Sequence, residues 1–204
     1  LGGQKTGWFF DLAEARGHVA ALAADARVLD VYCHAGAFAI RAAVAGARQV
    51  IAVDRSEAAL ALARESAALS GVAERVRFLA ADAFSELERR GGSGERHDIV
   101  ILDPPSFVKS RKDLAAGIKG YRKLARLGAP LVADGGFLFI ASCSHHVAPQ
   151  DFAAEVAHGL HLAGRTGRLL RAGGAGPDHP VHLMLPESAY IKWQLLQVDD
   201  PASR

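Results

Sequence analysis

The chain has 204 residues, of which 50% are hydrophobic and two are cysteines, and its formal net charge is +2. This length and composition suit one folded domain with a well-buried core, and so small a net charge gives no overall signal for nucleic-acid binding. No stretch approaches the roughly 20 apolar residues of a membrane-spanning helix, so we expect no membrane association. No signal-peptide pattern is visible and the two cysteines give no disulfide framework, so we expect a cytoplasmic setting.

Apolar, β-branched runs alternate with alanine-rich helical segments along the chain. The predicted strands are Arg27–Tyr32, Gln49–Val53, Arg75–Ala80, Asp98–Leu102, Gly136–Ala141, Arg168–Arg171 and Tyr190–Val198. The predicted helices are Asp11–Ala24, Ala37–Ala45, Ser56–Leu69, Ala83–Arg90, Leu114–Val132 and Pro149–Leu162. This alternation predicts a mainly parallel sheet that is covered by helices on both faces. The last strand lacks a crossover helix before it, so we expect it to pair antiparallel with the strand that precedes it.

The segment after the first strand contains a single glycine, Gly36. A dinucleotide fold needs several glycines here because pyrophosphate requires close backbone approach, whereas an adenosyl ligand without phosphates needs one. Carboxylates accompany the first three strands at Asp30, Asp54 and Asp82, and Asp54 is placed to hold ribose hydroxyls. Ala83 follows, where it can lie beside an adenine ring. Each carboxylate could also be a helix cap, but jointly they favour S-adenosyl-L-methionine as the cofactor.

The turn Asp103–Phe107 (Asp-Pro-Pro-Ser-Phe) follows a buried apolar run. Two successive prolines can continue neither a strand ladder nor a helix, so they form a stiff turn at the carboxyl end of a central strand. Ligands bind at that end of open α/β sheets, and a carboxylate beside an aromatic ring suits a planar substrate. Asp-Pro is also a common way to begin an ordinary turn.

Basic residues are concentrated just after this turn. Between Lys109 and Arg126 there are seven basic residues and one acid, Asp113. Most charge runs are solvated helix faces, but this one lies beside the candidate site, which favours contact with phosphate groups. Four of the basic residues fall on one helical face at i, i+3, i+4 and i+7: Lys119, Arg122, Lys123 and Arg126.

The chain resembles class I S-adenosylmethionine-dependent methyltransferases in four successive motifs: Asp30 with Gly36, Asp54, Asp82, and Asp103–Pro105. Four segments narrow the resemblance to the large-subunit ribosomal RNA cytosine-5 methyltransferases that carry an amino-terminal PUA domain: Gly3–Phe9, Asp103–Phe107, Ser142–His146 and Pro177–Pro180. The resemblance implies a Rossmann-like α/β fold with a seven-stranded, mainly parallel sheet and an antiparallel last strand. It also implies that residues 1–204 form a single domain whose segment 1–27 covers the cofactor site. This chain departs from the family in three respects. No PUA domain is present in these 204 residues, Ala13 stands where the family usually has a second arginine, and His34–Ala37 stands where the family usually has tyrosine-threonine-glycine-glycine.

The same resemblance assigns residues to the cofactor. In the family, the segment around Lys5, Thr6 and Phe10 closes over it. With the strand-end residues, the predicted cofactor-binding set is Lys5, Thr6, Phe10, Asp30, Tyr32, Gly36, Asp54, Arg55, Asp82, Ala83 and Asp103.

Carbon-5 of cytosine is a poor nucleophile, and addition of a thiolate to carbon-6 makes it reactive. Cys143 follows a predicted strand between two serines, so we assign it as the nucleophile, partly on the resemblance, and expect nearby donors and positive charge to favour its thiolate. Asp103 is assigned to bond the ring nitrogen or amino group of the base as the thiol adds. Pro104 and Phe107 are assigned to hold a flipped base. The usual strand order of class I methyltransferases implies that two steps, about 10 Å, separate the strand before Cys33 from the strand before Cys143. Cys33 should then lie beside the cofactor and be structural.

The sequence therefore favours an RNA cytosine-5 methyltransferase, with ribosomal RNA as the substrate that the resemblance implies and with no metal site. Two alternatives remain open: an amino-group methyltransferase that acts on a nucleic-acid base and needs no cysteine, and a non-catalytic RNA-binding domain on a methyltransferase-like scaffold. A nicotinamide oxidoreductase is disfavoured by the missing glycines. A homodimer is compatible with the sequence, which does not determine the oligomeric state.

Overall fold

The computed structural model describes residues 10–200. Seven strands form one sheet in the order β3-β2-β1-β4-β5-β7-β6, in which β1 to β5 are parallel and β7 is antiparallel to both of its neighbours. The strands are β1 Arg27–Val31, β2 Gln49–Asp54, β3 Val76–Ala80, β4 His97–Leu102, β5 Val132–Ser142, β6 Thr166–Gly173 and β7 Lys192–Asp199. The helices are α1 Ala13–Ala20, α2 Ala37–Val44, α3 Glu57–Leu69, α4 Ala83–Gly92, α5 Leu114–Gly128 and α6 Pro149–Leu162.

Two apolar layers hold the helices against the sheet. Because successive strand residues point to opposite faces, Val28 and Leu29 of β1 are both fully buried, each in a different layer. Residues of α1, α2 and α3 fill the layer that contains Val28, and residues of α4, α5 and α6 fill the other. The predicted parallel sheet with helices on both faces is confirmed.

The strand order places a crevice where β1 meets β4. The chain leaves β1 toward β2 on one side, whereas β4 lies on the other side, so the connections on the two sides diverge at the carboxyl ends of β1 and β4. Open α/β sheets bind ligands at such a switch point. Asp103 directly follows β4, and its backbone N–H donates to the Val31 carbonyl at 3.3 Å.

Three predicted boundaries differ from the structure by four residues, and the others lie within two. The helix predicted to continue to Val132 ends at Gly128, and a short 3-10 turn over Ala129–Leu131 that contains Pro130 replaces its last turn. Strand β5 therefore begins at Val132 and not at Gly136. Helix α1 is shorter than predicted.

The antiparallel last strand is confirmed: β7 pairs with β6 along their length and also inserts between β6 and β5. Strand β6 is consequently the edge of the sheet. In the described part of the chain, no helix is both long enough and apolar enough to cross a membrane.

Candidate active site at the carboxyl ends of the central strands

The loop between β1 and α2 has a strained backbone that is fixed by hydrogen bonds. Tyr32, His34 and Gly36 all have positive φ angles, of 68°, 49° and 79°. Such angles are uncommon for side chains other than glycine and concentrate at ligand sites. The His34 N–H donates to Asp54 Oδ2 at 2.9 Å. A Cβ on Gly36 would lie 3.1 Å from Ile40 Cδ1, so space as well as φ favours glycine here.

The carboxylates of Asp30 and Asp54 differ in their hydrogen bonds. Asp30 is buried, and its Oδ2 accepts the Ala39 N–H at 3.0 Å, whereas its Oδ1 has no hydrogen-bond partner among the described residues. Burial, followed by the charges of Asp103 and Asp54, raises the pKa of Asp30 to about 8. Asp54 accepts one backbone N–H on each oxygen, from His34 and from Ser56. A buried, unpartnered carboxylate oxygen among like charges fits a ligand that brings positive charge.

Asp82 caps helix α4, and this structural role is sufficient to explain a carboxylate at this position. It is exposed, it precedes α4, and its Oδ1 accepts from the Ser85 N–H and hydroxyl at 3.0 and 3.1 Å. These bonds lower its pKa, as expected of a helix cap. Ala83 is buried in the core beside it, and Arg55 is exposed. Their contacts with a cofactor, like that of Asp82, stay predictions.

Of the remaining predicted cofactor residues, three lie at or beyond the edge of the described chain, and Tyr32 follows β1. Phe10 is 56% exposed, and the predictions for Lys5 and Thr6 lie outside the described residues. Tyr32 is partly buried, and its burial together with the charge of Asp82 raises the pKa of its phenol to about 12.

Cys143 and Asp103 come together at the ends of adjacent strands. Cys143 follows β5 and is only partly buried, and its Sγ lies 3.9 Å from the carbonyl oxygen of Pro104. Cys33, by contrast, is buried in the layer beneath α2, and that burial raises the pKa of its thiol far above the usual range. The pairing of β1 with β4 and of β4 with β5 separates the two cysteines by two steps, as predicted.

The expectation that the surroundings favour the Cys143 thiolate is wrong. Burial, followed by the charges of Asp103 and Asp11, raises the pKa of Cys143 to about 11, against a smaller effect of Lys192. The two flanking serine hydroxyls point into hydrogen bonds elsewhere and do not donate to the sulfur. The thiol is therefore protonated at neutral pH, and its ionisation requires a proton acceptor close by.

Asp103 has a carboxyl group poised to hold a proton. Burial, followed by the charge of Asp11, raises its pKa to about 7, and Arg16 opposes this shift. Asp11 is itself buried and accepts a hydrogen bond from the Tyr190 hydroxyl at 3.0 Å. Sequence reasoning missed both Asp11 and Tyr190, since they lie 179 positions apart and neither follows a predicted strand.

Ser144 joins the loop after β5 to the loop after β4. Its buried hydroxyl lies 2.6 Å from the Tyr121 hydroxyl and 2.9 Å from that of Ser106, and it accepts the Val108 N–H at 3.2 Å. Three partners from two elements fix the oxygen, and with it the loop that carries Cys143. We call Ser144, Tyr121, Ser106 and Val108 the serine hub.

Replacing Ser144 with alanine should lower the free energy of unfolding by about 1–3 kcal/mol, because the fully buried Tyr121 hydroxyl would lose its hydrogen bond at 2.6 Å. Thermal and denaturant unfolding measure the loss. The double variant Ser144→Ala/Tyr121→Phe should cost less than the sum of the single variants, since both remove the same hydrogen bond. Strictly additive losses would show that the hydroxyls are not coupled.

The two residues assigned to hold a flipped base lie in different environments. Pro104 is buried and contacts the Cys143 thiol through its carbonyl. The ring of Phe107 is half-buried, with its centroid 4.8 Å from that of Tyr121 and 6.1 Å from that of Phe84. This packing accounts for Phe107 without a base, so its substrate contact stays a prediction.

The positive face of α5 is partly neutralised by neighbouring helices. Arg122 forms a two-pronged ion pair with Glu155 of α6, at 2.5 and 2.9 Å, and the ammonium of Lys123 lies 3.3 Å from Glu88 of α4. Lys119 and Arg126 are exposed. The single four-residue stripe that the sequence predicted is therefore divided into two cations that form ion pairs, Arg122 and Lys123, and two exposed cations that form none among the described residues, Lys119 and Arg126. Within residues 10–200, no group of three His, Cys, Asp or Glu side chains is arranged to hold a metal ion.

Comparison with known proteins finds a matching family and relatives along most of this chain. Residues 1–168 match the family described as S-adenosylmethionine-dependent methyltransferase. The chain is 38% identical over 198 residues to a ribosomal RNA large subunit methyltransferase of Deinococcus radiodurans, and 34% identical over 192 residues to ribosomal RNA large subunit methyltransferase I of Klebsiella pneumoniae. These matches cover 97% and 94% of this chain but 48% of each relative. The chain thus spans about half the length of the curated relatives it matches.

Solved structures show the same fold at lower identity. A protein described as a SAM-dependent methyltransferase from Streptococcus mutans superposes with a TM-score of 0.82 at 23% identity, over 94% of this chain and 50% of that one. TrmN from Thermus thermophilus superposes with a TM-score of 0.63 at 24% identity, over 91% of this chain and 48% of that one. At these identities the likeness concerns the fold alone.

Proposed function

Because the chain belongs to the S-adenosylmethionine-dependent methyltransferase family, we propose that it methylates carbon-5 of a cytosine in large-subunit ribosomal RNA through a covalent adduct with Cys143. The observation that carries the proposal is the convergence of a partly exposed thiol and a proton-holding carboxyl group, Asp103, at the switch point of the sheet. An enzyme that methylates amino groups has no need of a nucleophilic sulfur at this place. The names of the relatives support ribosomal RNA as the substrate.

The proposed chemistry needs one proton shared between Cys143 and Asp103. The sulfur forms a bond to carbon-6 as its proton leaves toward Asp103, and the displaced π electrons move to ring nitrogen N3, which takes a proton from the carboxyl group. Carbon-5 then has enamine character and can accept a methyl group. The carbon-5 proton finally departs to solvent water, and its electron pair expels the Cys143 thiolate. The proton on N3 then returns through Asp103 to the thiolate, which restores the starting state.

The strand-end carboxylates and the Gly36 loop form the proposed cofactor site. S-adenosylmethionine supplies an electrophilic methyl group on a positively charged sulfur. The buried Oδ1 of Asp30 has no hydrogen-bond partner among the described residues, and a pKa of about 8 leaves this carboxyl group mostly protonated at neutral pH. A cation bound beside it would favour its ionised form, and Asp54 follows at the end of the neighbouring strand β2. The positive-φ backbone of the β1–α2 loop permits close approach of an adenosyl group.

The exposed cations of α5 should contribute to RNA affinity, and the paired ones should contribute less. The variant Lys119→Ala/Arg126→Ala should weaken binding to ribosomal RNA and reduce the slope of log K against log salt by about 1 for each residue, because each exposed cation releases a counterion from a phosphate. Filter binding over a series of salt concentrations measures the slope.

The matched control for charge is Arg48→Ala/Arg77→Ala, which removes two exposed cations far from α5 and should leave the slope unchanged. Arg122→Ala should act mainly on stability, because it leaves the partly buried Glu155 without its partner. An unchanged slope for Lys119→Ala/Arg126→Ala would show that α5 presents only a solvated face.

Mapping the product tests the proposed function. The protein is incubated with labelled S-adenosylmethionine and unmodified large-subunit ribosomal RNA, and the RNA is digested and analysed by mass spectrometry. The proposal predicts 5-methylcytidine. A methylated exocyclic amino group would establish the amino-group alternative, and RNA binding without methyl transfer would establish the non-catalytic one.

A further inference from the structure

Lys192 is a buried lysine at the start of β7, between two apolar residues, and its side chain has no part in the chemistry proposed above. It is 6% exposed, and it pairs in register with Ser142, the last residue of β5. Lysine is almost never buried to this extent unless its ammonium group is fully hydrogen-bonded, because loss of hydration penalises the charge. A lysine at this position, next to the strand end that carries Cys143, therefore requires partners that compensate for its burial.

The ammonium group binds the loop that follows Cys143. The Lys192 Nζ donates to the carbonyl oxygen of Ser144 at 2.6 Å and to that of Val147 at 2.7 Å. These two carbonyls lie at either end of one turn, which the Val147 N–H also closes by donating to the Ser144 carbonyl at 3.1 Å. Charge-assisted bonds of this length restrain the backbone strongly. Lys192 thus holds Ser144 from the carbonyl side while the serine hub holds it by the hydroxyl.

The charge of Lys192 also acts on the thiol. The titratable groups that interact with Cys143 are Asp103, Asp11, Tyr121, Tyr190 and Lys192. Both carboxylates raise the pKa of Cys143, and Lys192 lowers it. The effect is mutual, because burial lowers the pKa of Lys192 and Cys143 raises it.

We propose that Lys192 is a positioning residue, which fixes the loop after Cys143 through two carbonyls and places a positive charge where the thiolate forms. The inference rests on the proposed function, since a thiolate at Cys143 matters only if the sulfur is the nucleophile. Under this proposal the antiparallel strand β7, through Lys192, supports the two reacting residues that follow the parallel strands β4 and β5.

Alkylation of Cys143 as a function of pH tests this proposal without RNA or cofactor. Iodoacetamide reacts with the thiolate, and mass spectrometry of peptides separates Cys143 from the buried Cys33. The variants Lys192→Met and Lys192→Gln should react about tenfold more slowly below the thiol pKa, and they should reach the wild-type rate only at higher pH. Lys192→Gln keeps a hydrogen-bond donor for the carbonyls and removes only the charge, so its curve isolates the electrostatic part.

The matched control is Lys112→Met, which makes the same substitution at an exposed site and should leave the alkylation curve unchanged. A purely structural role for Lys192 predicts a different result, in which a loosened loop speeds alkylation at every pH without moving the inflection, and that result would overturn the proposal. If both variants unfold, the titration of the Lys192 ζ-nitrogen resonance is compared between the wild type and Cys143→Ala. The proposal predicts that Lys192 loses its proton at lower pH in Cys143→Ala, because Cys143 raises the pKa of Lys192, and identical titration curves would overturn it. Because no methyl transfer is measured, failure here is distinct from failure of the proposed function.

Discussion

Replacing Cys143 with alanine is expected to reduce methyl transfer to RNA by about 10⁴-fold or more, the size of loss seen when a covalent nucleophile is removed. The sulfur is partly exposed beside Asp103 and contacts the proline turn. The other thiol at this end of the sheet, Cys33, is buried and follows β1, two strands away from β5, so it is not placed to replace Cys143. Turnover with labelled S-adenosylmethionine measures the effect. The affinity for the cofactor, measured by calorimetry, should stay near the wild-type value.

The control for this prediction is Cys33→Ala. Cys33 is buried in the layer beneath α2, and loss of its sulfur should lower stability modestly and leave methyl transfer within about tenfold of the wild type. If Cys143→Ala retained full turnover and Cys33→Ala did not, the assignment of the two cysteines would be reversed. Full turnover by both variants would favour methylation of an amino group.

Replacing Asp103 with asparagine is expected to lower kcat by about 10²–10⁴-fold, because asparagine keeps the shape but can neither accept the thiol proton nor donate one to the base. The pH profile gives the more specific result. The pair of Asp103 and Cys143 holds one proton between about pH 7 and about pH 11, and the proposed attack requires that state. Below about pH 7 both groups are protonated, so the wild-type rate should fall tenfold per pH unit, and above it the rate should be level.

The variant Asp103→Asn should lose the inflection near pH 7. Its residual rate should instead rise with pH toward the thiol pKa, which falls because the charge of Asp103 is gone. Asp151→Asn, at an exposed position in the first turn of α6, is the matched control and should keep the wild-type profile. A wild-type inflection that survived in Asp103→Asn would show that another group holds the proton.

Local patterns in the sequence predicted most of the fold and part of the candidate site. Alternating apolar runs and helical segments predicted the parallel sheet, and the Asp103–Phe107 turn marked the end of β4, where the crevice lies. Another proline explains a wrong prediction, because Pro130 lies in the turn after α5, which ends before Val132, and Val132 is the start of β5. Propensity favoured a longer helix, but the ring of proline cannot continue one.

The parts of the site that could not be predicted depend on contacts between distant segments. The raised pKa of Cys143 comes from burial and from Asp103 and Asp11, which are 40 and 132 positions away in the chain. Lys192 carried a signal in the sequence, a charge between Ile191 and Trp193 in an apolar strand, but its partners depend on the insertion of β7 beside β5. Likewise, the α5 stripe was correctly placed as a helical face, while its pairing with Glu88 and Glu155 required the packing of three helices.

Trapping of a covalent complex tests most directly whether Cys143 attacks the base. Ribosomal RNA that contains 5-fluorocytidine is incubated with the protein and S-adenosylmethionine, and the products are separated under denaturing conditions. Fluorine at carbon-5 cannot leave as a proton does, so attack through sulfur predicts a stable adduct that maps to Cys143 and is absent from Cys143→Ala. Methyl transfer to unmodified RNA without any adduct on the fluorinated RNA would contradict covalent catalysis.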